Sequence, residues 1–276
     1  MPWFPDFTSA MVLARQETRE AGQADPVRQY LAVLKDGDIN ALETAWPGEV
    51  VIYDPRSGEV RGHRQLRQFI NRSKAVLAER HARVDPVAAT VCPGRAAVEL
   101  LAHLDGDGDG REVLWPVAVV AESRDDRSVV FRSYFSRRPL DGRRDHTRPA
   151  ILTSAADLPG DVVARFHAAL GAGDADAVLA AFAPDGYYRE SHGPHAAHRG
   201  TAELRAFFTA QFGAGGSIRL EPCAVTDDGV RCAVEYNCIR WGGRELAPQA
   251  GLCVCERGPG GLLAAVRQYD DLETSG

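Results

Sequence analysis

Apolar residues recur at helical spacing directly after Asp25-Pro26, at positions 27, 30, 31 and 34. An Asp-Pro pair is a typical helix start, because proline fits the first helical position, where no backbone N–H is needed. Gly37-Asp38 ends this helix, and the aspartate can cap a second helix at about 39–46. The pattern therefore predicts two helices joined at a Gly-Asp break.

Strands dominate the pattern further along. A short strand is predicted at 49–54, and a third amphipathic helix follows Arg61-Gly62 at about 63–78. Four further strands are then predicted, at 84–91, 95–104, 111–121 and 128–137. Short turns between adjacent strands predict antiparallel pairing, and helices grouped before such a sheet are typical of an α+β domain.

The second half repeats this pattern and much of its sequence. Residues 27–46 align without a gap on residues 163–182. The register continues through three further matches, which are Arg61-Gly62 with Arg199-Gly200, Glu99 with Glu235, and Arg132-x-Tyr134 with Arg267-x-Tyr269. The later elements recur as strands at 186–191, 217–226, 229–241, 245–256 and 261–271 and a helix at 201–212. A repeat of this length indicates a duplicated domain.

We therefore predict two domains, at 25–137 and 160–276, with an N-terminal arm at 1–24 and a linker at 138–159. The linker is rich in Arg, Asp, Pro and Gly. A chain of 276 residues has the length of two ordinary domains, in agreement with the repeat.

The composition is that of a soluble globular protein, with 45% hydrophobic and 25% charged residues. A net charge of −6 argues against a nucleic-acid or anionic membrane surface. No run approaches the ~20 apolar residues of a membrane span. The first residues also lack the basic segment and apolar core of a secretory signal. We expect a cytoplasmic protein without nucleic-acid or membrane partners.

Metal-binding patterns are weak. The six cysteines include no CxxC pair, and most lie in apolar strand-like runs, so we expect buried free thiols and neither disulfides nor a metal site. His192, His195 and His198 are spaced by three, but a Gly-Pro within their loop prevents a shared helical face. The carboxylate-rich turn at 105–110 begins like a calcium loop, yet Pro116 stands where that loop requires glutamate, which favours a hairpin turn.

The element order resembles the NTF2-like superfamily, and within it the SnoaL-like polyketide cyclases. The residues that carry the resemblance are Gly37-Asp38, Gly173-Asp174, Arg61-Gly62, Arg199-Gly200 and Tyr269-Asp270. The resemblance implies two tandem NTF2-like (cystatin-like) cone domains of α+β class, each with N-terminal helices packed on a curved, mostly antiparallel sheet around an apolar pocket. The scaffold hosts isomerases, dehydratases, epoxide hydrolases, cyclases and binding modules, so it implies function only broadly.

The tandem layout is also similar to the two-domain polyether epoxide hydrolases of actinomycetes. Those enzymes open epoxides with a carboxylate pair in each domain, but their catalytic positions do not match this chain residue by residue. The similarity therefore implies a class of chemistry and assigns no residues.

Glu235, in the middle of an apolar strand, is the first candidate catalytic residue. Strand alternation places it on one face with Asn237 and Trp241. Burial in a pocket raises the pKa of a carboxyl group, which suits a general acid or base. The alternative is a solvent-facing glutamate or one paired with Arg267. Its recurrence as Glu99, in a more apolar strand still, keeps both interpretations open.

The last strand supplies a second carboxylate. Arg267 and Tyr269 share one face of this strand, and Asp270 lies on the other face unless a bulge intervenes. A carboxylate pair with an arginine and an amide suits acid/base epoxide opening. We therefore predict Asp270 as the partner of Glu235, with Arg267 and Asn237 as orienting groups.

Other candidates line the predicted pocket. Tyr188, Glu190 and His198 are predicted at its mouth, and Trp241 and Tyr269 are further candidates for substrate binding. The first repeat offers possible counterparts at Asp54, Glu99, Arg132 and Tyr134. It carries Phe135 where the second repeat has Asp270. We therefore expect the second repeat to be the active domain and the first to be mainly its structural partner.

The resemblance and these residues suggest a cofactor-independent enzyme of secondary metabolism. Its reaction would be cyclisation, epoxide opening or isomerisation of a hydrophobic polyketide-like or terpenoid-like intermediate. The alternative is a non-catalytic tandem module that binds a small hydrophobic ligand or scaffolds a complex. NTF2-like domains commonly pair through their sheets, so the duplication implies a monomer with internal pseudo-two-fold symmetry.

Overall fold

The computed structural model describes residues 19–20, 22–106, 111–125, 127–142 and 147–272. Most of the predicted N-terminal arm lies outside these residues, as do positions 107–110 of the predicted hairpin turn. Among the described helices, none has both the length and the apolar character needed to cross a membrane.

Among the described residues, the first repeat has three helices and six strands, which follow the predicted order apart from one additional short strand. They are α1 (Pro26–Asp36), α2 (Ile39–Ala45), β1 (Val50–Asp54), β2 (Gly58–Arg61), α3 (His63–Glu79), β3 (Arg83–Cys92), β4 (Arg95–Asp105), β5 (Glu112–Ser123) and β6 (Val129–Tyr134). The predicted break between the first two helices is confirmed. Gly37 adopts a left-handed conformation with φ 79°, and Asp38 caps α2 through the backbone N–H of Asn40.

The second repeat follows a short helix, α4 (Arg138–Asp141), and has the same order. Its elements are α5 (Val162–Ala172), α6 (Ala175–Ala181), β7 (Phe182–Arg189), β8 (Ala197–Arg199), α7 (Gly200–Phe212), β9 (Ser217–Asp227), β10 (Arg231–Gly242), β11 (Arg244–Arg257) and β12 (Leu263–Tyr269). Gly173 again has positive φ, at 68°, and Asp174 caps α6 through the N–H of Ala177. The short strands β2 and β8 were not predicted from the pattern.

Each repeat contributes one six-stranded sheet. The strand orders are β2-β1-β6-β5-β4-β3 and β8-β7-β12-β11-β10-β9, which are equivalent. In the second sheet β7 pairs with β12 in parallel and all other pairs are antiparallel. The predicted α+β class with mostly antiparallel sheets is thus confirmed. The parallel pair in the second sheet forms because β7, the first of its strands in chain order, lies beside β12, the last.

The chain divides into two compact units. Unit 1 takes the described residues up to Ala82 together with 94–96 and 119–133. Helix α1 packs on α3 in this unit, and the ring of Tyr30 stacks on Phe131 with 4.6 Å between centroids. The predicted domain boundaries, which follow the repeat instead, stay predictions.

Unit 2 takes residues 83–93, 97–118 and the described residues from Tyr134 onward. Helices α5–α7 cover one face of its sheet, which we call the inner face. On β10 the inner residues are Cys232, Val234, Tyr236 and Cys238, all buried in the apolar core of this unit. Glu235 and Asn237 alternate with them and therefore lie on the opposite, outer face.

Candidate active site

Strand β12 carries different chemistry on its two faces. Gln268 and Asp270 both bond to the inner residue Tyr236, whereas Arg267 and Tyr269 bond to Glu99. The predicted alternation, with Asp270 on the face opposite Arg267 and Tyr269, agrees with these contacts. Asp270 is thus separated by the sheet from the arginine predicted to assist it.

The buried carboxylate of Asp270 accepts hydrogen bonds from three side chains. The hydroxyl of Tyr236 donates to Oδ2 at 2.6 Å, and the amide of Gln268 donates to the same oxygen at 2.6 Å. The hydroxyl of Ser191 donates to Oδ1 at 2.5 Å. Hydrogen bonds to a carboxylate are stronger than those between neutral groups, so these donors fix its orientation.

A relay of hydrogen bonds leads to this carboxylate from Tyr188. Its hydroxyl donates to Oε1 of Gln268, whose amide nitrogen donates to the hydroxyl of Tyr236 at 2.7 Å. Tyr236 in turn donates to Asp270. Every donor in the relay is directed toward the carboxylate, as expected where an acceptor-only group ends a chain of groups that both donate and accept.

Burial decides the protonation behaviour of the relay. It raises the pKa of Asp270, although the hydrogen bonds from Ser191 and Tyr236 act in the opposite direction. Burial, followed by the charge of Glu190, also raises the pKa of Tyr188 well above its ordinary value. Burial and then Asp270 do the same for Tyr236. The two tyrosines therefore remain neutral donors, while the carboxyl group is moved toward neutrality.

Gly251 makes room for Tyr236. The two residues are direct partners in the ladder between β10 and β11. A Cβ atom at position 251 would collide with the Tyr236 ring near its hydroxyl. The absence of a side chain on β11 thus allows the tyrosine hydroxyl to reach Asp270.

The residues predicted at the pocket mouth do lie together. Glu190 accepts from His198 Nε2 at 3.1 Å and lies 3.7 Å from His192 Nε2. The ring of His198 stacks on Phe207 at 4.1 Å, and Phe207 stacks on Tyr188 at 5.2 Å. The half-buried residues Glu190, His192 and His198 therefore form a rim. The rings of His198 and Phe207 connect this rim to Tyr188, the first residue of the buried relay.

His192 connects this rim to Asp270 electrostatically. Burial lowers the pKa of its imidazole, and the charges of Glu190 and Asp270 oppose that effect. The pKa shifts of His192 and Asp270 are in opposite directions and bring the two groups closer in proton affinity. A pair of neighbouring groups whose pKa values are shifted toward each other is a candidate for acid/base exchange with a substrate.

Glu235 and Asn237 lie on the outer face, away from this relay. Glu235 accepts a 2.7 Å hydrogen bond from the hydroxyl of Tyr134. The Asn237 amide donates to the carbonyl of Leu152 at 2.9 Å and to Ser154 at 3.2 Å. The structure thus brings neither of them together with Asp270.

Trp241 departs from the predicted face. It belongs to the inner core with Tyr236 and Cys238, and it does not share the outer face with Glu235. The ladder register shifts between Cys238 and Arg240, which marks a β-bulge. One extra residue reverses the alternation, so the face predicted for Trp241 was wrong, while its role in substrate binding stays a prediction.

Arg267 and Tyr269 bond to the glutamate of the first repeat. Arg267 contacts both carboxylate oxygens of Glu99, at 2.6 and 2.8 Å, and also Glu256 at 2.9 Å. The Tyr269 hydroxyl donates to Glu99 at 2.8 Å, and the guanidinium of Arg189 lies 4.6 Å above the Tyr269 ring. Glu99, Arg267 and Tyr269 thus form a buried, hydrogen-bonded cluster on the outer face.

The remaining first-repeat candidates have local partners. Arg132 donates to Glu122 at 2.6 Å. Asp54 accepts from the backbone N–H groups of Arg56 and Ser57, both at 2.9 Å, and so closes the turn between β1 and β2. These contacts give the two residues structural roles in unit 1.

Unit 1 also has an open groove of about 590 Å³. Its charged lining residues pair with each other. Arg61 bonds to Glu49 at 2.5 Å, and His63 bonds to Glu43 at 2.6 Å. No buried carboxylate comparable to Asp270 occurs among the residues that line this groove.

Sequence reasoning missed Tyr236, Gln268, Ser191 and His192. Gln268 could have been found, because it shares the alternating face of Asp270. Tyr236 likewise lies on the face opposite Glu235. Ser191 and His192 follow the end of β7, and their approach to Asp270 depends on the parallel pairing of β7 with β12, which local patterns do not specify.

Comparison with known proteins agrees with this architecture. The SnoaL-like domain family matches residues 27–131 and 163–255, more than half of the chain. No curated protein matches the chain significantly.

Similar solved structures each cover about one repeat. A candidate polyketide cyclase from Sinorhizobium meliloti is 25% identical and has a TM-score of 0.34, over 41% of this chain and 95% of its own. A SnoaL-like protein of unknown function from Burkholderia thailandensis is 18% identical with a TM-score of 0.33, over 39% and 90%. TerC, co-crystallised with polyporic acid, is 18% identical with a TM-score of 0.34, over 40% and 88%. On the two family matches, the chain belongs to the SnoaL-like domain family and carries its domain twice.

Proposed function

We propose that the second repeat is a cofactor-independent acid/base enzyme in which Asp270 is the proton-transferring group. The observation that carries this proposal is the convergence of three donors on a buried carboxylate whose pKa is raised. A carboxylate so placed is a stronger base than one in water, since burial disfavours its charged form. The proposal moves the catalytic role expected for Glu235 to Asp270.

Two neutral tyrosines complete the proposed machinery. As Asp270 takes a proton from a substrate carbon or hydroxyl, negative charge develops on a substrate oxygen. The hydroxyl of Tyr236 or Tyr188 would donate to that oxygen, because burial keeps both phenols protonated. Fixed donors in a water-poor site stabilise such charge without reorganisation, and each contributes about 10²–10³-fold in rate.

The substrate class we propose is a small hydrophobic molecule with an enolisable or epoxide oxygen, such as a polyketide-like intermediate. The aromatic rings next to the relay, those of Tyr188, Phe207 and Phe208, are buried and pack on one another, so the surroundings of the relay are apolar. The half-buried Glu190 and His198 would contact the polar end of the substrate. Cyclisation, isomerisation and epoxide opening all use this set of groups.

The alternative is a binding module without catalysis. It is favoured by the completeness of the relay, since Asp270 already accepts bonds from Ser191, Tyr236 and Gln268 in the free protein. A satisfied buried network can serve only to specify the fold. The two functions differ in what happens to a bound molecule.

The test uses two chemical probes with the full chain. Hydrogen–deuterium exchange into 1-phenylbutane-1,3-dione in D₂O reports proton abstraction, and diol formation from styrene oxide reports epoxide opening. We expect turnover of at least one probe, reduced about 10²–10⁴-fold in Asp270→Asn. The matched control is Asp271→Asn, because Asp271 bonds instead to Arg137 and Ser136.

Two results would decide against catalysis by Asp270. A folded Asp270→Asn variant with wild-type turnover removes the carboxylate from the mechanism. If the wild type binds both probes and processes neither, and Asp270→Asn binds them with the same Kd, the binding module is supported. Circular dichroism of each variant separates these outcomes from loss of folding.

A further inference from the structure

A second cluster on the inner face of unit 2 lies outside the relay. His167 on α5 and Cys253 and Cys255 on β11 are all buried. One ligand-type atom from each side chain lies within 4.8 Å of the other two. The two sulfur atoms are 3.9 Å apart. Cysteine and histidine are the residue types that bind zinc and other metal ions with an affinity for sulfur.

His167 is the most informative member of the cluster. The residue is 9% exposed, and neither ring nitrogen has a well-formed hydrogen bond, although the imidazole interacts with the thiol of Cys255. A buried polar group without a partner is costly, and most such groups in folded proteins are paired. An imidazole that faces two thiols without a well-formed hydrogen bond is placed to bind a metal ion together with them.

The spacing of the atoms fits a tetrahedral metal ion. Thiolate sulfurs bound to zinc at about 2.3 Å lie about 3.8 Å apart when the angle at the metal is tetrahedral. The separation between Cys253 and Cys255, 3.9 Å, already matches that edge. A ring nitrogen of His167 lies within 4.8 Å of both sulfurs, so the imidazole can supply a third corner.

We propose that His167, Cys253 and Cys255 form a structural zinc site that ties α5 to the sheet. On binding, each thiol loses its proton to solvent, and the neutral imidazole donates a nitrogen lone pair. Two thiolates balance the charge of Zn²⁺, so the site is neutral and its burial avoids the cost of an isolated ion. Cys232 pairs with Cys255 in the ladder but does not belong to the cluster, so the fourth ligand would come from outside these three residues.

A disulfide is the competing use of the same sulfurs. Cys253 and Cys255 are two residues apart on one strand, with both side chains on the inner face. Their Cα atoms are held by the extended backbone near the upper limit of what a disulfide spans. A disulfide would also remove the Cys255 thiol that interacts with His167, whereas a metal ion would bind all three residues.

The test supplies the cation during refolding, because all three ligands are buried. The full chain is unfolded, reduced, and refolded with Co²⁺ or Zn²⁺ under exclusion of air. We expect one bound Co²⁺ per chain with thiolate-to-cobalt absorption, displacement by Zn²⁺, and a higher Tm with Zn²⁺ than with a chelator. No thiolate absorption in the wild type, or a disulfide between Cys253 and Cys255 in its place, would overturn the proposal.

Matched variants locate the site. Cys255→Ser and His167→Gln should lose the cobalt absorption or the Zn²⁺-dependent Tm shift, while Cys238→Ala should keep both. Cys238 is equally buried on the inner face but bonds to the carbonyl of Arg240. Cobalt absorption that persists in Cys255→Ser assigns the metal to other thiols and contradicts the site. The cobalt titration of the wild type can overturn the proposal without any variant. The proposal therefore remains testable even if a variant fails to fold.

Discussion

The hydroxyl of Tyr134 donates a 2.7 Å hydrogen bond to the carboxylate of Glu235, which lies 101 residues later in the sequence. The reciprocal bond also exists, since the equivalent Tyr269 donates to the equivalent Glu99 at 2.8 Å. Each repeat thus supplies a tyrosine to the glutamate of the other. The mid-strand glutamates, which the sequence marks as catalytic candidates, are partners between the repeats.

The Tyr134–Glu235 bond should appear as an energetic coupling. We expect Tyr134→Phe and Glu235→Gln to be non-additive by about 1–3 kcal/mol, because the bond is buried and one partner is charged. Urea unfolding of both single variants and the double variant measures this term. Strict additivity of the two changes would contradict the coupling.

Glu99 should matter strongly for stability. It neutralises the buried Arg267 through two hydrogen bonds and also accepts from Tyr269. Glu99→Leu should lower the free energy of unfolding by about 3–5 kcal/mol, because a buried charge loses its main partner. Adding Arg267→Met should recover part of the loss. A double variant less stable than Glu99→Leu alone would show that Arg267 is satisfied elsewhere.

The pH dependence of stability should reveal the carboxyl group of Asp270. Burial raises its pKa above the ordinary 3.8, so the folded chain binds this proton more tightly than the unfolded chain. The contribution of the group to stability is therefore greatest below that value and declines as the pH rises through the folded-state pKa. The stability of Asp270→Asn relative to wild type should then increase from about pH 4 to pH 8. Urea unfolding across that range tests this, and a constant difference would refute it.

Gly251 should be intolerant of any side chain. We expect Gly251→Ala to cost about 1–3 kcal/mol, because its methyl group displaces the Tyr236 ring. Turnover of the probes should fall with it, since the hydroxyl loses its position beside Asp270. Gly243→Ala is the control, as nothing lies within 4 Å of a Cβ placed there. Equal effects of the two substitutions would show that the loss does not come from the contact with the Tyr236 ring.

The reciprocal bonds also bear on assembly. Both tyrosines and both glutamates are buried within one chain, at 1–2% exposure. They are therefore not available to a second copy, and we expect a monomer in solution. Static light scattering measures this directly, and a stable dimer at micromolar concentration would be the contrary result.

Local signals explain which features were predictable from the sequence. The breaks at Gly37 and Gly173 depend on neighbouring residues alone, as do the caps at Asp38 and Asp174. The alternation along β12 was equally local and assigned Asp270 to the correct face. Features of this kind need no knowledge of distant parts of the chain.

Long-range geometry explains what was not predictable. The bulge after Cys238 reverses the face of Trp241, and the residue types in that stretch do not predict the bulge. The hydrogen bonds of Glu99 and Glu235 come from strands that are far apart in sequence. The local sequence around a mid-strand glutamate is the same whether its side chain faces a pocket or a partner strand. Ser191 reaches Asp270 only through the parallel pairing of β7 with β12.

The contact between Gly251 and Tyr236 has a consequence for how such chains diverge. A bulky residue at 251 is compatible only with a smaller ring or none at 236, so the two positions are expected to change together. Among proteins of this family, tyrosine at the position of Tyr236 together with glycine at the position of Gly251 would then mark those that share the relay. One residue of the pair lies on β10 and the other on β11. The two together form a sequence signature by which relatives with the same proton-transfer residues could be recognised.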